Sequence, residues 1–242
     1  MNQFSDSVIQ SLHEFIQVHP LWNHNFLKKC KAGQLTLPEV QILAVQMYKF
    51  SKEFNRILAG ILSRCPDENA QLVILENLFD EMGQGDPQVA HPELFRRFTR
   101  ALQIDDTRLA ALPTEPETQG LIETYLTLPH RYTYLAALGA VCFASEGIVS
   151  SLYTQLYQGI IGAAPLPLAS LTFFEVHINV DDSHAAKLLA LIEPRITSSE
   201  SALMLHRAVV EALDARVRFF DGIERQISAS ELADSRLAVI SA

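Results

Sequence analysis

The chain has 242 residues, 48% hydrophobic and 19% charged, which predicts a globular protein with enough apolar material for a real core. Twenty-eight acidic residues against nineteen basic ones leave a formal charge of −9, which repels phosphate and argues against a nucleic-acid partner. Cys30, Cys65 and Cys142 are odd in number and too far apart for a CxxC pair, which argues against a disulfide frame or a thiolate zinc site and favours a reducing, cytoplasmic compartment.

In chain order the sequence reads as helix after helix. No basic stretch followed by an apolar core opens it, so no signal peptide is expected. Apolar residues recur at helical spacing from Ser7 to Ile16, and His19-Pro20 ends that run, because the residue before a proline is pushed out of the α region. A short helix over 21–31 stops at Gly33. Thr36, Pro38 and Glu39 predict the capped start of a long helix over 38–62. Cys65-Pro66-Asp67 separates it from a helix over 68–82, which ends at Gly83-Gln84-Gly85-Asp86-Pro87. Proline in the first turn opens another over 92–102. Residues 105–119, with Pro113 and Pro116, read as a loop, and helices over 120–128, 132–160, 168–192 and 201–226 follow. Glu146 interrupts the most apolar run, so no membrane span is predicted. With no alternating strand pattern, the expected fold class is all-α: a single seven-helix bundle over residues 1–227, with a loosely ordered tail at 228–242.

The most specific local pattern is His177-x3-Asp181-x2-His184. On a helix these positions share one stripe, about 6 and about 10.5 Å along the axis from the first. Imidazole and carboxylate suit iron, manganese or zinc, although a polar solvated face gives the same pattern. Glu146 is the ionisable carboxylate of a long apolar helix, where an anion needs a proton or a cation unless it lies on an exposed stripe. Glu81 and His91 are ten residues apart, about 15 Å on an unbroken helix. The glycines and proline between them allow a bend that brings them together; alone, the pair reads as a solvated helix end and a plain turn. Together these segments supply three carboxylates and three histidines, and bundle metal sites collect such ligands from several helices.

Asn77-Leu78-x-Asp80-Glu81-x-Gly83-x-Gly85, His91, Leu94-Phe95, Ala144-x-Glu146 and His177-x3-Asp181-x2-His184 resemble the haem-oxygenase-like di-iron oxidases. The resemblance runs from the helix near Pro38 to the last helix and is nearest to the chlamydial death-domain-associated branch, beside the pyrroloquinoline-quinone synthase relatives. It implies a haem-oxygenase-like bundle, two iron ions (manganese or a mixed pair being the other fillings), O2 as co-substrate, a small amine or amino-acid-like substrate, and a homodimer. It also implies Glu81, His91, Glu146, His177, Asp181 and His184 as metal ligands. Tyr48 and Tyr153 are expected to line the pocket or pass a proton or electron; Tyr153 lies seven residues after Glu146, on the same helix face. That branch resembles a para-aminobenzoate synthase that consumes its own tyrosine with a lysine nearby. Here Trp22 stands in the segment expected to carry the tyrosine, and residues 53–186 hold no lysine, so that self-consuming chemistry is not expected. Competing readings are a metal-free, thiaminase-II-like hydrolase with Cys142 as nucleophile, a non-catalytic helical interaction protein, and haem binding through His13, His19 or His24.

Overall fold

A computed structural model describes residues 3–179 and 183–240, and no strand occurs among them. The α-helices, in order, are α1 (Gln3–Gln17), α2 (Asn25–Lys31), α3 (Leu37–Ser51), α4 (Phe54–Leu62), α5 (Glu68–Glu81), α6 (His91–Ala101), α7 (Asp106–Ala111), α8 (Pro116–Arg131), α9 (Tyr134–Val141), α10 (Gly147–Ala163), α11 (Thr172–Asn179), α12 (Ser183–Ile192) and α13 (Ser199–Ile240). The fold is the expected all-α bundle, cut into more pieces than seven. The stretch 38–62 is two helices, α3 and α4, parted at Lys52-Glu53. Residues 105–119 are not simply a loop: Asp105 caps α7, its carboxylate accepting the Arg108 N–H at 2.8 Å, and Pro116 opens α8. The final helix continues to Ile240, through the stretch expected to be a loose tail.

The local chemistry explains the boundaries. The Thr36 N–H donates to the Glu39 carboxylate at 2.8 Å, the reciprocal half of a capping box that starts α3. The Asp67 carboxylate accepts the Ala70 N–H at 2.9 Å at the start of α5. His19 and His24 act as caps: their Nδ1 atoms accept the Leu21 and Phe26 N–H groups at 3.2 and 3.1 Å. A ring nitrogen that accepts is unprotonated, so each Nε2 carries the hydrogen and faces a carboxylate of α13, Asp214 at 3.4 Å and Asp221 at 3.1 Å. That tautomer removes both histidines from haem ligation, which needs a ring nitrogen with a free lone pair. It also disqualifies the close group formed by His24, Asp221 and Glu224 as a metal site.

α13 packs along α8 and α9, α10 lies against α2 and α11, α3 against α6, and α4 against α5. α9, a π-helical turn over Cys142–Glu146, and α10 form one continuous helix, so Glu146 does not interrupt it. By length and composition that 30-residue helix is apolar enough to cross a membrane, and 67% of its most apolar window is buried against the rest of the chain. Beside its middle lies a layer of edge-to-face rings, with Phe95 and Phe173 at 4.6 Å, Phe98 and Phe174 at 5.1 Å, and Phe173 and Phe174 at 5.5 Å. This aromatic layer is the floor on which the polar centre rests.

Candidate metal centre

Two backbone irregularities aim the carboxylates. At the end of α5, Gly83 and Gly85 take φ of +78° and +94° and Gln84 takes +54°, which reverses the chain within a few residues. A Cβ at Gly83 would lie 2.3 Å from the Asp86 carbonyl oxygen and 2.6 Å from the Ala90 nitrogen, so only glycine fits that approach. The reversal sets His91, the first residue of α6, with its Nδ1 2.7 Å from Glu81 Oε2. At the second irregularity the π turn inserts an extra residue just before Glu146, and a Cβ at Gly147 would come within 2.7 Å of the Cys142 carbonyl. Glu146 Oε1 accepts a hydrogen bond from Asn77 Nδ2 at 3.1 Å, tying α10 to α5.

The third contribution comes from α11. His177 Nδ1 lies 2.5 Å from the Phe173 carbonyl oxygen. A carbonyl only accepts, so Nδ1 carries the proton and the Nε2 lone pair is free. The His177 ring sits 4.6 Å from that of His91 and 5.2 Å from that of Tyr153. Glu81, His91 and His177 each present a ligand atom within 4.8 Å of the others. A small cavity of about 30 Å³ opens beside them, lined by Glu81, Glu146, His177, Tyr153, Ser145 and a wall of Phe50, Phe54, Val149 and Phe173.

His184, on α12, donates from Nε2 to Asp80 Oδ2 at 2.9 Å, which leaves its Nδ1 lone pair free. A carboxylate that holds the far nitrogen of a histidine is the usual support of a metal-binding imidazole. In the sequence Asp80 stood in the family motif beside Glu81, with nothing to mark it as the partner of His184. Asp181 lies outside the described residues. Tyr153 lines the cavity, and burial pushes its phenol pKa up. Tyr48 does not line the cavity: its hydroxyl accepts from Arg96 at 3.1 Å and its ring lies 6.0 Å from Phe95. Tyr48 was expected to face the pocket, but its hydroxyl is engaged by Arg96 of α6 instead.

The residues fit a cation. The Glu81–His91 pair meets at ion-pair distance without hydrogen-bond geometry, so the buried His91 Nδ1 has no hydrogen-bond partner; Asn77 Oδ1 is likewise unsatisfied. Burial works to raise the Glu81 carboxyl pKa, yet the charge and contact of His91 outweigh it and hold it down. Burial and the nearby Glu81 push Glu146 up to about 7. Burial first, and then the charge of His91, push His177 down to about 4, so it is a neutral donor. A buried carboxylate, a half-buried one and a neutral imidazole around one cavity are the environment that a divalent ion stabilises, and the oxygen–nitrogen donor set suits iron or manganese.

A helical bundle with a histidine–carboxylate cluster at its centre defines the class: an all-α protein of haem-oxygenase-like fold. A solved domain of unknown function from Shewanella denitrificans, described as having a haem-oxygenase-like fold, superposes with a TM-score of 0.74 at 15% identity, covering 95% of this chain and 94% of that one. The family of iron-containing redox enzymes matches residues 41–217, and the chain belongs to that family. It is an oxidoreductase. Among curated relatives, the 4-aminobenzoate synthase of Nitrosomonas europaea is 27% identical, covering 96% of this chain and 94% of its own. The protein of that name from Chlamydia muridarum is 27% identical over 88% of this chain and 89% of its own.

Proposed function

We propose that the protein is a di-iron oxidase or oxygenase that uses O2 on a small amine or amino-acid-like substrate. The observation that carries this reading is the convergence of Glu81, His91 and His177 within 4.8 Å, with Glu146 on the same cavity wall. Glu81, His91 and His177 would hold one ion; Glu146 and His184, with Asp181, would complete the second. Bound iron would supply the electron-transfer chemistry that protein side chains lack. The chain's own residues do the rest. Phe173 O and Asp80 fix the tautomers of His177 and His184. Asn77 orients Glu146. Phe50, Phe54, Val149 and Phe173 keep bulk water out, and the Tyr153 hydroxyl is the proton-bearing group on the cavity wall.

The relatives named 4-aminobenzoate synthase support a nitrogen-bearing aromatic acid as the kind of molecule involved. A self-consumed tyrosine is not part of the proposal. Trp22 uses its indole N–H on the Ile16 carbonyl at 2.7 Å, and Lys187, the first lysine after Lys52, is paired with Glu76 at 2.7 Å. The proposed partner is a second copy of this chain. Leu72, Leu75 and Phe79 on α5, and Met82 at its C-cap, stand exposed at alternating spacings of three and four, the pattern of a helix–helix seam. The proposed cytoplasmic location rests on composition.

Anaerobic loading with Fe(II), followed by O2, tests the function. The expected result is close to two irons per chain and a transient visible band, both lost in Glu81→Ala and His177→Ala. Wild-type protein that takes up no iron would overturn the reading.

A further inference from the structure

Arg216 lies on α13 and is 6% exposed. Its nearest described contacts are a ring and a hydroxyl. The guanidinium carbon stands 5.2 Å over the centre of the Phe50 ring, and the Tyr125 hydroxyl lies beside the guanidinium. Nε has no hydrogen-bond partner, and none of the ion pairs among the described residues includes this side chain. The other deeply buried cation, Lys49, solves the same problem differently, donating to the Leu109 and Ala110 carbonyls at 2.8 and 3.3 Å. A guanidinium held out of water with an idle donor lacks the anion that would balance it.

The position of Arg216 says where such an anion would come from. Phe50 and Ser145 both line the cavity beside Glu81 and His177. Arg216 stands on the Phe50 ring. The Tyr125 hydroxyl, which donates to the Ala144 carbonyl at 2.9 Å, has both Arg216 and the Ser145 hydroxyl as neighbours. The cavity holds about 30 Å³, room for roughly one water, whereas a benzene-sized ring needs about 150 Å³. An organic substrate therefore requires a wall to move. Phe50 is a wall residue without a polar anchor, and the group behind it is a cation.

We propose that Arg216 binds the carboxylate of the substrate, which enters as the Phe50 ring turns aside, so that an aromatic or amino-acid carboxylate lies between Arg216 and the metal centre. This rests on the proposed function and deepens it by assigning the residue that would hold the substrate's carboxylate. Arg216 is a binding residue: its planar fork matches a carboxylate through two N–H donors, and the Tyr125 hydroxyl lies against it.

The test uses the full chain, loaded with Fe(II) and kept anaerobic. Calorimetric titration compares 4-aminobenzoate with aniline, which has the same ring and amine but no carboxylate. The wild type is expected to bind 4-aminobenzoate at least about tenfold more tightly than aniline. Arg216→Gln is expected to bring that ratio close to one with aniline affinity unchanged, and Arg216→Lys, which keeps the charge, to retain part of it. A merely structural role would weaken both ligands together. Phe50→Ala should tighten both ligands and leave the ratio intact. A wild type without the preference overturns the proposal, and so does Arg216→Gln that keeps it. If Arg216→Gln does not fold, the wild-type ratio and Arg216→Lys decide: a lysine variant with no remaining preference would then refute recognition by charge. Iron content measured on the same samples separates the two readings, since iron uptake without carboxylate preference defeats only the role of Arg216.

Discussion

Replacing Gly83 by alanine tests whether the reversal after α5 builds the centre. Two effects add. At φ +78° a Cβ meets the left-handed penalty of about 1–2 kcal/mol. The new carbon would also lie 2.3 Å from the Asp86 oxygen and 2.6 Å from the Ala90 nitrogen, both backbone atoms that cannot rotate away. Relieving such overpacking typically costs about 1–3 kcal/mol, so Gly83→Ala should destabilise the protein by about 2–5 kcal/mol. Ala90 immediately precedes His91, so the relief must move His91 away from Glu81. Gly85→Ala is the internal control: its φ is +94°, but a Cβ there meets nothing within 4 Å, so it bears only the conformational penalty of about 1–2 kcal/mol. Urea unfolding and iron content measured together read both effects. The expected result is a larger loss of stability in Gly83→Ala than in Gly85→Ala, with iron lost in the former and retained in the latter. Equal destabilisation with full iron in both would refute the reasoning.

Burial, reinforced by the charge of Glu146, raises the Cys142 thiol pKa, so iodoacetamide should leave Cys142 unlabelled in the folded protein and label it in urea; native labelling that abolishes activity would restore the hydrolase reading. Burial also disfavours the His19 imidazolium and outweighs Asp214, holding its pKa below 6.5. The unfolded chain then takes up a proton that the folded chain refuses, so stability should fall as pH drops through 6.5. Asp214 of α13 is the charged group facing His19, and Phe15 of α1 is its ring neighbour. His19→Asn keeps a capping side chain and removes the titration; melts from pH 8 to 5 should show the two proteins diverging only in the acid range. On α5, Phe79→Glu should convert a dimer to monomer in sedimentation equilibrium without altering iron content, and an unchanged mass would remove the proposed seam.

The helices were legible because their punctuation is chemical. Thr36 with Glu39, Asp67, and the glycines after Glu81 each satisfy or end a backbone ladder in a way that neighbouring residues reveal. The meeting of Glu81 with His91 was legible for the same reason, since glycine and proline between them rule out the straight helix that would hold them apart. Three features were not legible. Nothing in Cys142–Glu146 distinguishes a π turn from an α turn until the Gly147 backbone is seen against the Cys142 carbonyl. Asp80 and Asn77 act through residues more than sixty positions away, and local spacing carries no trace of such pairs. Tyr48 was expected at the pocket, and a partner on another helix holds its hydroxyl, which the sequence around it does not reveal.

The irregular backbone and the polar centre coincide for a physical reason. Straight α-helices present side chains on stripes fixed by 3.6 residues per turn, so neighbouring helices bring ligands together only where the stripes happen to cross. To bring together carboxylates and imidazoles from α5, α6, the π turn before α10, and α11, the chain departs from regularity twice. It departs at the positive-φ reversal over 83–85 and at the π turn that ends on Glu146. Each departure gives up ordinary helix geometry next to a candidate ligand. Local rules broken beside such a cluster point to function. On that argument the backbone and the donor atoms are independent witnesses to the same centre. A variant that regularises either turn should lose metal while keeping every ligand side chain.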